Sequence, residues 1–255
     1  MKIITWNVGH QTKTGNGNLL HMAEALATIS PDIIVLTEYV PGDLDGKFST
    51  DLKETGFERK ISEGQELPDR KNQVLIASRM RINKEILTPP PEIYQHAPWN
   101  ILHVTIPELD LGVLGLRMPV RMSAHQKKTW WEWVIGIAET NRAHPFMFLG
   151  DFNTDESSGG PNGWQRVESL KKTGWGFARP SEGTSYWSYG RNGVITPFRI
   201  DYAFFSQKIT VLKSRYRTES GTWHFTKNPE LASTMNHGVK PMSDHAMLEI
   251  EFKLN

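Results

Sequence analysis

The chain has 255 residues, a net charge of +1 and no cysteine. That length accommodates one large domain with a sizeable core, and the missing cysteine excludes both a disulfide framework and a thiolate metal site. No apolar run is long enough to cross a bilayer, and "MKIITWNVGH" has no signal-peptide core, so no membrane attachment is expected and the cytoplasm is the expected compartment.

Charge is unevenly placed. Residues 117–217 hold 15 Lys and Arg against 8 Asp and Glu, leaving 14 against 20 elsewhere. A basic half beside an acidic half suits a polyanionic substrate and a cation site, although a mixed solvated surface gives the same count.

In chain order, "IITWNV" has strand chemistry with a polar end, and "GNGN" reads as a loop that lacks nucleotide-binding spacing. "LLHMAEALATIS" places Leu19, Leu20, Ala23, Leu26 and Ala27 on a helical stripe, with Asn18 as N-cap and Pro31 as its stop. "DIIVLTE", "QVLIAS", "NILHVTI" and "LGVLGLRM" are short apolar runs, as expected of strands buried on both faces. Pro89, Pro90 and Pro91 read as a rigid surface loop. "SAHQKKTWWEWVIGIAET" is a predicted helix, with Ser123 and Gln126 at capping-box spacing and Trp130, Val134, Ile137 and Ala138 on its buried face. Its "WWEW" is expected to divide between core and surface. "HPFMFLGDFN" is a further buried strand, "WQRVESLKK" a short helix closed at Thr173-Gly174, and "FRIDYAFFS", "ITVLKSRY" and "HAMLEIEF" are strands. No linker divides the sequence. The expectation is one α/β domain over residues 1–255, two β-sheets packed face to face with helices outside.

Several of these strands end in an acid or an amide: Asn7, Glu38, Asp151 with Asn153, Asp201, and the pair Asp244-His245. A charge at the end of an apolar strand is costly unless it reaches water, a partner or a metal. Any one alone reads as a surface turn. Together they read as residues converging on one site, where clustered carboxylates call for a hard divalent cation, Mg²⁺ or Mn²⁺. The remaining histidines show no zinc spacing.

In this order, "TWNV", "LTE", "GDFN", "RIDY" and "SDHAML" resemble the endonuclease/exonuclease/phosphatase superfamily over nearly the whole chain. The resemblance implies a four-layer α/β sandwich of two mixed sheets and metal-dependent cleavage of a phosphate ester. It implies metal-side roles for Glu38, Asn7 and Asp244, and a water- and phosphate-positioning role for Asp151 and Asn153. It gives His245 a phosphate contact, oriented by Asp201. An Asp-held imidazolium suits that contact on chemical grounds alone.

Two positions depart from the pattern. Many members carry His or Tyr where "GLRMPV" has Arg117, and the abasic endonucleases carry Asn where Val120 stands. Arginine cannot give up a proton but can clamp a phosphate. Gly9 stands where an acid is frequent. On the substrate side, "TSYWSYGRNGVITPFRIDY" is similar to a stretch lining an abasic-sugar pocket, giving Tyr186, Phe198 and Ile200 that role with Trp187 behind. Core packing explains such aromatics equally. The aromatics next to Arg191 and Arg199 suit stacking on unpaired bases, and Arg121, Lys127 and Lys128 suit a phosphate backbone. The expected partner is nucleic acid, DNA first, and the expected state a monomer. The alternatives are a phosphoesterase acting on a phospholipid head group or inositol phosphate, and a catalytically silent nucleic-acid-binding module.

Overall fold

Continuous apolar runs need cover on both faces, and two sheets sandwiched between helices provide it. The computed structural model describes residues 1–9, 18–42, 45–62, 72–88, 97–120, 122–157, 163–190, 192–226 and 241–255. In chain order these form β1 (Lys2–Asn7), α1 (Asn18–Ile29), β2 (Ile33–Tyr39), α2 (Asp45–Glu54), β3 (Glu58–Ile61), β4 (Gln73–Ser78), β5 (Asn83–Lys84), β6 (Ile101–Ile106), β7 (Leu111–Arg117), α3 (Ala124–Asn141), β8 (Phe146–Asp151) and α4 (Trp164–Lys172). There follow β9 (Gly176–Ala178), β10 (Tyr186–Tyr189), β11 (Ile195–Phe198), β12 (Asp201–Phe205), β13 (Ile209–Arg217), β14 (Glu219–Ser220), β15 (Trp223–His224) and β16 (Met247–Leu254).

One six-stranded sheet runs β13-β16-β1-β2-β4-β3 and the other β5-β6-β7-β8-β12-β9. Each is mixed, with β1 parallel to β2 and β7 parallel to β8. Between the sheets lie Ile3, Val35, Val74 and Ile250 from one side and Val104, Val113, Leu149 and Ala203 from the other. Helices α1 and α2 cover the outer face of the first sheet through Met22, Leu26, Phe48 and Leu52. Helices α3 and α4 cover the second through Trp130, Trp131, Val134, Val167 and Leu170. This is the four-layer α/β sandwich.

Two details of helix burial differ from the sequence expectation. In α1 the buried face is Met22, Ala23, Ala25, Leu26 and Ile29, while Ala27 is half-buried. The Leu19 and Leu20 side chains, "GNGN" and the Pro89–Pro91 run lie outside the described residues. In α3, Trp131 joins Trp130 in full burial and Ile137 is only half-buried. Trp131 stacks on Phe152 at 5.7 Å and 21°, which widens the buried face towards the end of β8. The capping box of Ser123 and Gln126 forms, and α4 closes at Thr173 before Gly174 at φ +90°.

The topology puts every polar strand end at one rim. Parallel β1 and β2 finish there at Asn7 and near Glu38, and parallel β7 and β8 finish there at Arg117 and Asp151. Antiparallel β12 and β16 start there, at Asp201 and just after His245. A bulge between Leu36 and Tyr39 in the β2–β4 pairing carries Glu38, whose φ is 52°. Bulges of this kind re-aim a side chain at a strand end.

Gly150 fixes the approach of β7 to β8 at the same rim. Its φ is +147°, and a Cβ there would lie 1.8 Å from the Leu116 carbonyl oxygen. Gly150→Ala should therefore cost at least about 2 kcal/mol, combining backbone strain with overpacking against backbone. Gly136→Ala, on the exposed side of α3 with open space at its Cβ, should instead add roughly 0.5–1 kcal/mol. Urea unfolding midpoints of the two variants check this pair of opposite signs.

Candidate active site

At the rim the Asp151 carboxylate sits at the centre, fully buried. Its Oδ2 accepts a hydrogen bond from Asn7 Nδ2 at 2.9 Å, crossing from one sheet to the other. Asn153 donates to both carboxylate oxygens, from its backbone N–H to Oδ1 at 2.8 Å and from Nδ2 to Oδ2 at 3.0 Å. Asn153 itself is held at φ 46°, and its Nδ2 also donates to the Met118 carbonyl at 2.8 Å. Strand register places Arg117 beside Asp151 on one side and Asp201 on the other.

Arg117 turns towards the opposite sheet. Its Nε and Nη2 meet Glu38 Oε1 at 2.6 and 2.5 Å, and Nε lies 3.9 Å from Asp151 Oδ2. One guanidinium thus faces two carboxylates from two sheets.

His245 completes the group. Its Nδ1 lies 2.9 Å from Asp201 Oδ2, and both residues are buried. The backbone beside it is pinned: Trp6 Nε1 donates to the His245 carbonyl at 2.9 Å, and the His245 N–H donates to Ser243 Oγ at 3.1 Å. Ser243 Oγ donates in turn to the Asn7 carbonyl at 2.6 Å. The Tyr186 ring lies over the imidazole at 4.7 Å, tilted by 32°.

These groups act on one another electrostatically. Burial, then the Asp201 charge, push Asp151 up to about 6, against the lowering pull of His245 and Arg117. Burial acts to lower His245, but the charge and hydrogen bond of Asp201, with Asp151 and Asp244, overcome it and hold the imidazole at about 9. Burial and the charges of Asp244, Asp151 and Glu38 raise the Tyr186 phenol. Asp244 is exposed, and its Oδ1 packs where a Cβ on Gly9 would come within 3.0 Å. With φ +55° as well, that position rejects a side chain for local reasons. Its N–H donates to Asn7 Oδ1 at 2.9 Å and fixes the amide orientation.

A family model described as the endonuclease/exonuclease/phosphatase family matches residues 4–245. The chain belongs to the endonuclease/exonuclease/phosphatase family. Among solved structures it is similar to a 3′ phosphatase of Neisseria bound to a product DNA hairpin, at 21% identity and TM-score 0.67 over 99% of each chain. It is also similar to an AP endonuclease from Archaeoglobus fulgidus, at 16% identity and TM-score 0.66 over the whole of both chains. A third likeness is to TDP2 from C. elegans, at 15% identity and TM-score 0.64 over 100% of this chain and 75% of that one. At these identities the likeness is one of fold. No curated protein matches the chain.

Family members hydrolyse phosphoester bonds and in general depend on a divalent metal. The donor set here suits such a metal in kind. Glu38, Asp151, Asn7 and Asp244 offer only oxygen ligands, the preference of a hard cation, and a guanidinium cation already lies between Glu38 and Asp151. Among the described residues no three His, Asp or Glu side chains close on a single point, and the Arg117 guanidinium lies against Glu38 Oε1.

Of the substrate-side residues, Tyr186 and Phe198 face each other on the β10–β11 hairpin at 6.3 Å, and Ile200 and Trp187 are buried behind. Arg199 is half-buried, with Nε donating to the Gly183 carbonyl. Lys127 and Lys128 lie in the first turn of α3, and Arg121 and Arg191 are outside the described residues. The sequence reading gave no role to Ser185, whose Oγ accepts from the N–H groups of Ile200 and Asp201. Nor did it use Tyr216, whose hydroxyl donates to the Asp201 carbonyl at 2.8 Å. Neither carries a sequence signal, because each acts from a segment distant in sequence, Ser185 from just before β10 and Tyr216 from β13.

The His245–Asp201 pair gives a direct expectation. Protonation of His245 stabilises the fold fully below pH 6.5, and that contribution is lost as pH rises through about 9. In Asp201→Asn the imidazole should titrate well below its wild-type value, since burial is then opposed only by the charges of Asp151 and Asp244. NMR titration of the ring in the metal-free protein measures this. An unchanged value in the variant would contradict the pairing.

Proposed function

We propose that this protein is a Mg²⁺-dependent hydrolase of phosphodiester bonds in DNA. The observation that carries this reading is the convergence of Asp151, Asn7, Asn153, Arg117, Glu38 and the His245–Asp201 pair on one rim of the sandwich. In-line displacement at phosphorus needs a positioned water and positive charge around the phosphoryl oxygens.

Under this reading His245, held protonated by Asp201, donates from Nε2 to a non-bridging oxygen of the scissile phosphate. Arg117 adds a second cationic contact and steadies the leaving oxygen without giving up a proton. Asp151, with its carboxyl near 6, orients the attacking water and accepts its proton at neutral pH. Asn153 and Asn7 hold the Asp151 carboxylate in place. Glu38, with Asn7 and Asp244 beside it, would hold a Mg²⁺ or Mn²⁺, which would supply neutralisation of the charge growing on the phosphoryl oxygens.

DNA is favoured over other phosphoesters by the basic balance of residues 117–217 and by the β10–β11 hairpin. That hairpin carries Tyr186 over His245 and exposes Tyr189, Val194 and Ile195 towards solvent. Arg199 sits at its base, next to the buried Ile200. Aromatic and apolar surface beside a phosphate-binding centre suits the faces of unstacked bases. The reading extends to abasic or terminal sites and to a monomeric enzyme.

Supercoiled plasmid, an abasic duplex, sphingomyelin and inositol phosphates, each with Mg²⁺ or with EDTA, form the test panel. Cleavage of a DNA substrate that EDTA stops is expected. His245→Ala should lower kcat by about 10²–10⁴-fold, and its loss should add less than fully to that of Asp201→Asn. No cleavage of any nucleic acid, or cleavage indifferent to EDTA, would overturn the reading.

A further inference from the structure

We propose that Arg117 is a built-in placeholder for the divalent ion: it occupies Glu38 until a phosphate draws it away, so that metal and phosphate load together. The inference rests on the proposed function and concerns the order in which the same site fills.

The geometry is specific. Both Nε and Nη2 of Arg117 meet a single oxygen, Glu38 Oε1, at 2.6 and 2.5 Å. The side chains are only 15% and 12% exposed, so the pair is largely withdrawn from water and strong enough to compete. A divalent cation approaching Glu38 Oε1 therefore meets a positive charge already in place. The β2 bulge, with Glu38 at φ 52°, aims that carboxylate at Arg117.

Arg117 has the reach to leave Glu38. Its backbone end is fixed: the next N–H, of Met118, donates to the Asp151 carbonyl at 2.8 Å, and the Met118 carbonyl accepts from Asn153. Beyond that anchor the side chain is long and rotatable. Among the described residues its ion pairs go to Glu38 and Asp151, which use only part of a five-donor fork that matches phosphate as well as carboxylate.

Two arrangements follow. In one, the guanidinium bridges Glu38 and Asp151 and the carboxylate charges are neutralised without metal. In the other, a phosphate takes the guanidinium and Glu38 turns its uncovered oxygen to the metal. Each ligand favours the second arrangement, so each must tighten the other by the same factor. The device keeps a cluster of buried carboxylates neutralised before metal arrives and withholds metal until a phosphate is present.

The test is Mn²⁺ binding to the whole protein, read by calorimetry and Mn²⁺ electron paramagnetic resonance, with and without thymidine 5′-monophosphate. The nucleotide's own Mn²⁺ affinity is subtracted. In the wild type, the nucleotide should tighten Mn²⁺ by about 5–150-fold. Arg117→Gln should bind Mn²⁺ about 10-fold or more tightly without nucleotide, and the nucleotide should then add little. If that variant does not fold, the wild-type Arg117 Nε–H resonance decides: it should shift on adding Mg²⁺ and nucleotide together, and a resonance that stays put overturns the inference. Glu38→Gln separates the two levels. If it abolishes Mn²⁺ binding while Arg117→Gln leaves affinity and coupling as in the wild type, the placeholder fails and the proposed function stands. If Glu38→Gln leaves Mn²⁺ binding intact, both fail.

Discussion

The hydrogen bond from Asn7 to Asp151 joins the two sheets at the rim, and the rest of the site depends on it. Asp151 ends a strand with apolar residues on both faces, so its carboxylate enters the interior as a cost. Three donated hydrogen bonds from Asn7 and Asn153 offset that cost, with Arg117 nearby. The offset is incomplete: the carboxyl still sits near 6, well above its usual 3.8. A buried acid that is held in place yet ionises close to neutral pH is suited to handling a proton in the working range.

The second constraint is charge balance. Glu38, Asp151 and Asp201 enter from different strands, and Asp244 adds a fourth carboxylate at the exposed edge. Among the described residues two cations answer them, the guanidinium of Arg117 and the imidazolium of His245. Each is tied to a partner on a different strand, Arg117 to Glu38 and His245 to Asp201. The site is thus an alternation of charges laid across two sheets. Asp201 Oδ1 is buried with no hydrogen-bond partner among the described residues, which leaves that carboxylate's interaction concentrated on the imidazole.

Much of this was legible in the sequence, for a physical reason. Apolar runs that stop at an acid or amide mark buried strands and also mark the rim where those strands end. Asn7, Glu38, Asp151, Asp201 and His245 could therefore be grouped before any coordinates. What pattern could not supply was direction. The bulge that turns Glu38 towards Arg117 leaves no trace in "LTEYV", because positive φ at a glutamate is imposed by tertiary pairing. The full burial of Trp131 was missed because helical periodicity says nothing of how wide a stripe the sheet covers. Ser185, just before β10, and Tyr216, on β13, support Asp201 at separations no local motif encodes.

Arg117 shows how far residue identity can lead and where geometry must take over. Sequence comparison marks it as a departure and chemistry limits it to a clamp. Only its position between Glu38 and Asp151 shows that it pairs with carboxylates from both sheets, one of them the proposed metal ligand. The most direct test of the account is therefore the position of a metal in this site. Crystals soaked in Mn²⁺ with a nucleotide should show an anomalous peak against the Glu38 carboxylate, with Arg117 turned to the phosphate. A peak remote from Glu38, or one beside it with Arg117 still on the same carboxylate oxygen, would contradict the account.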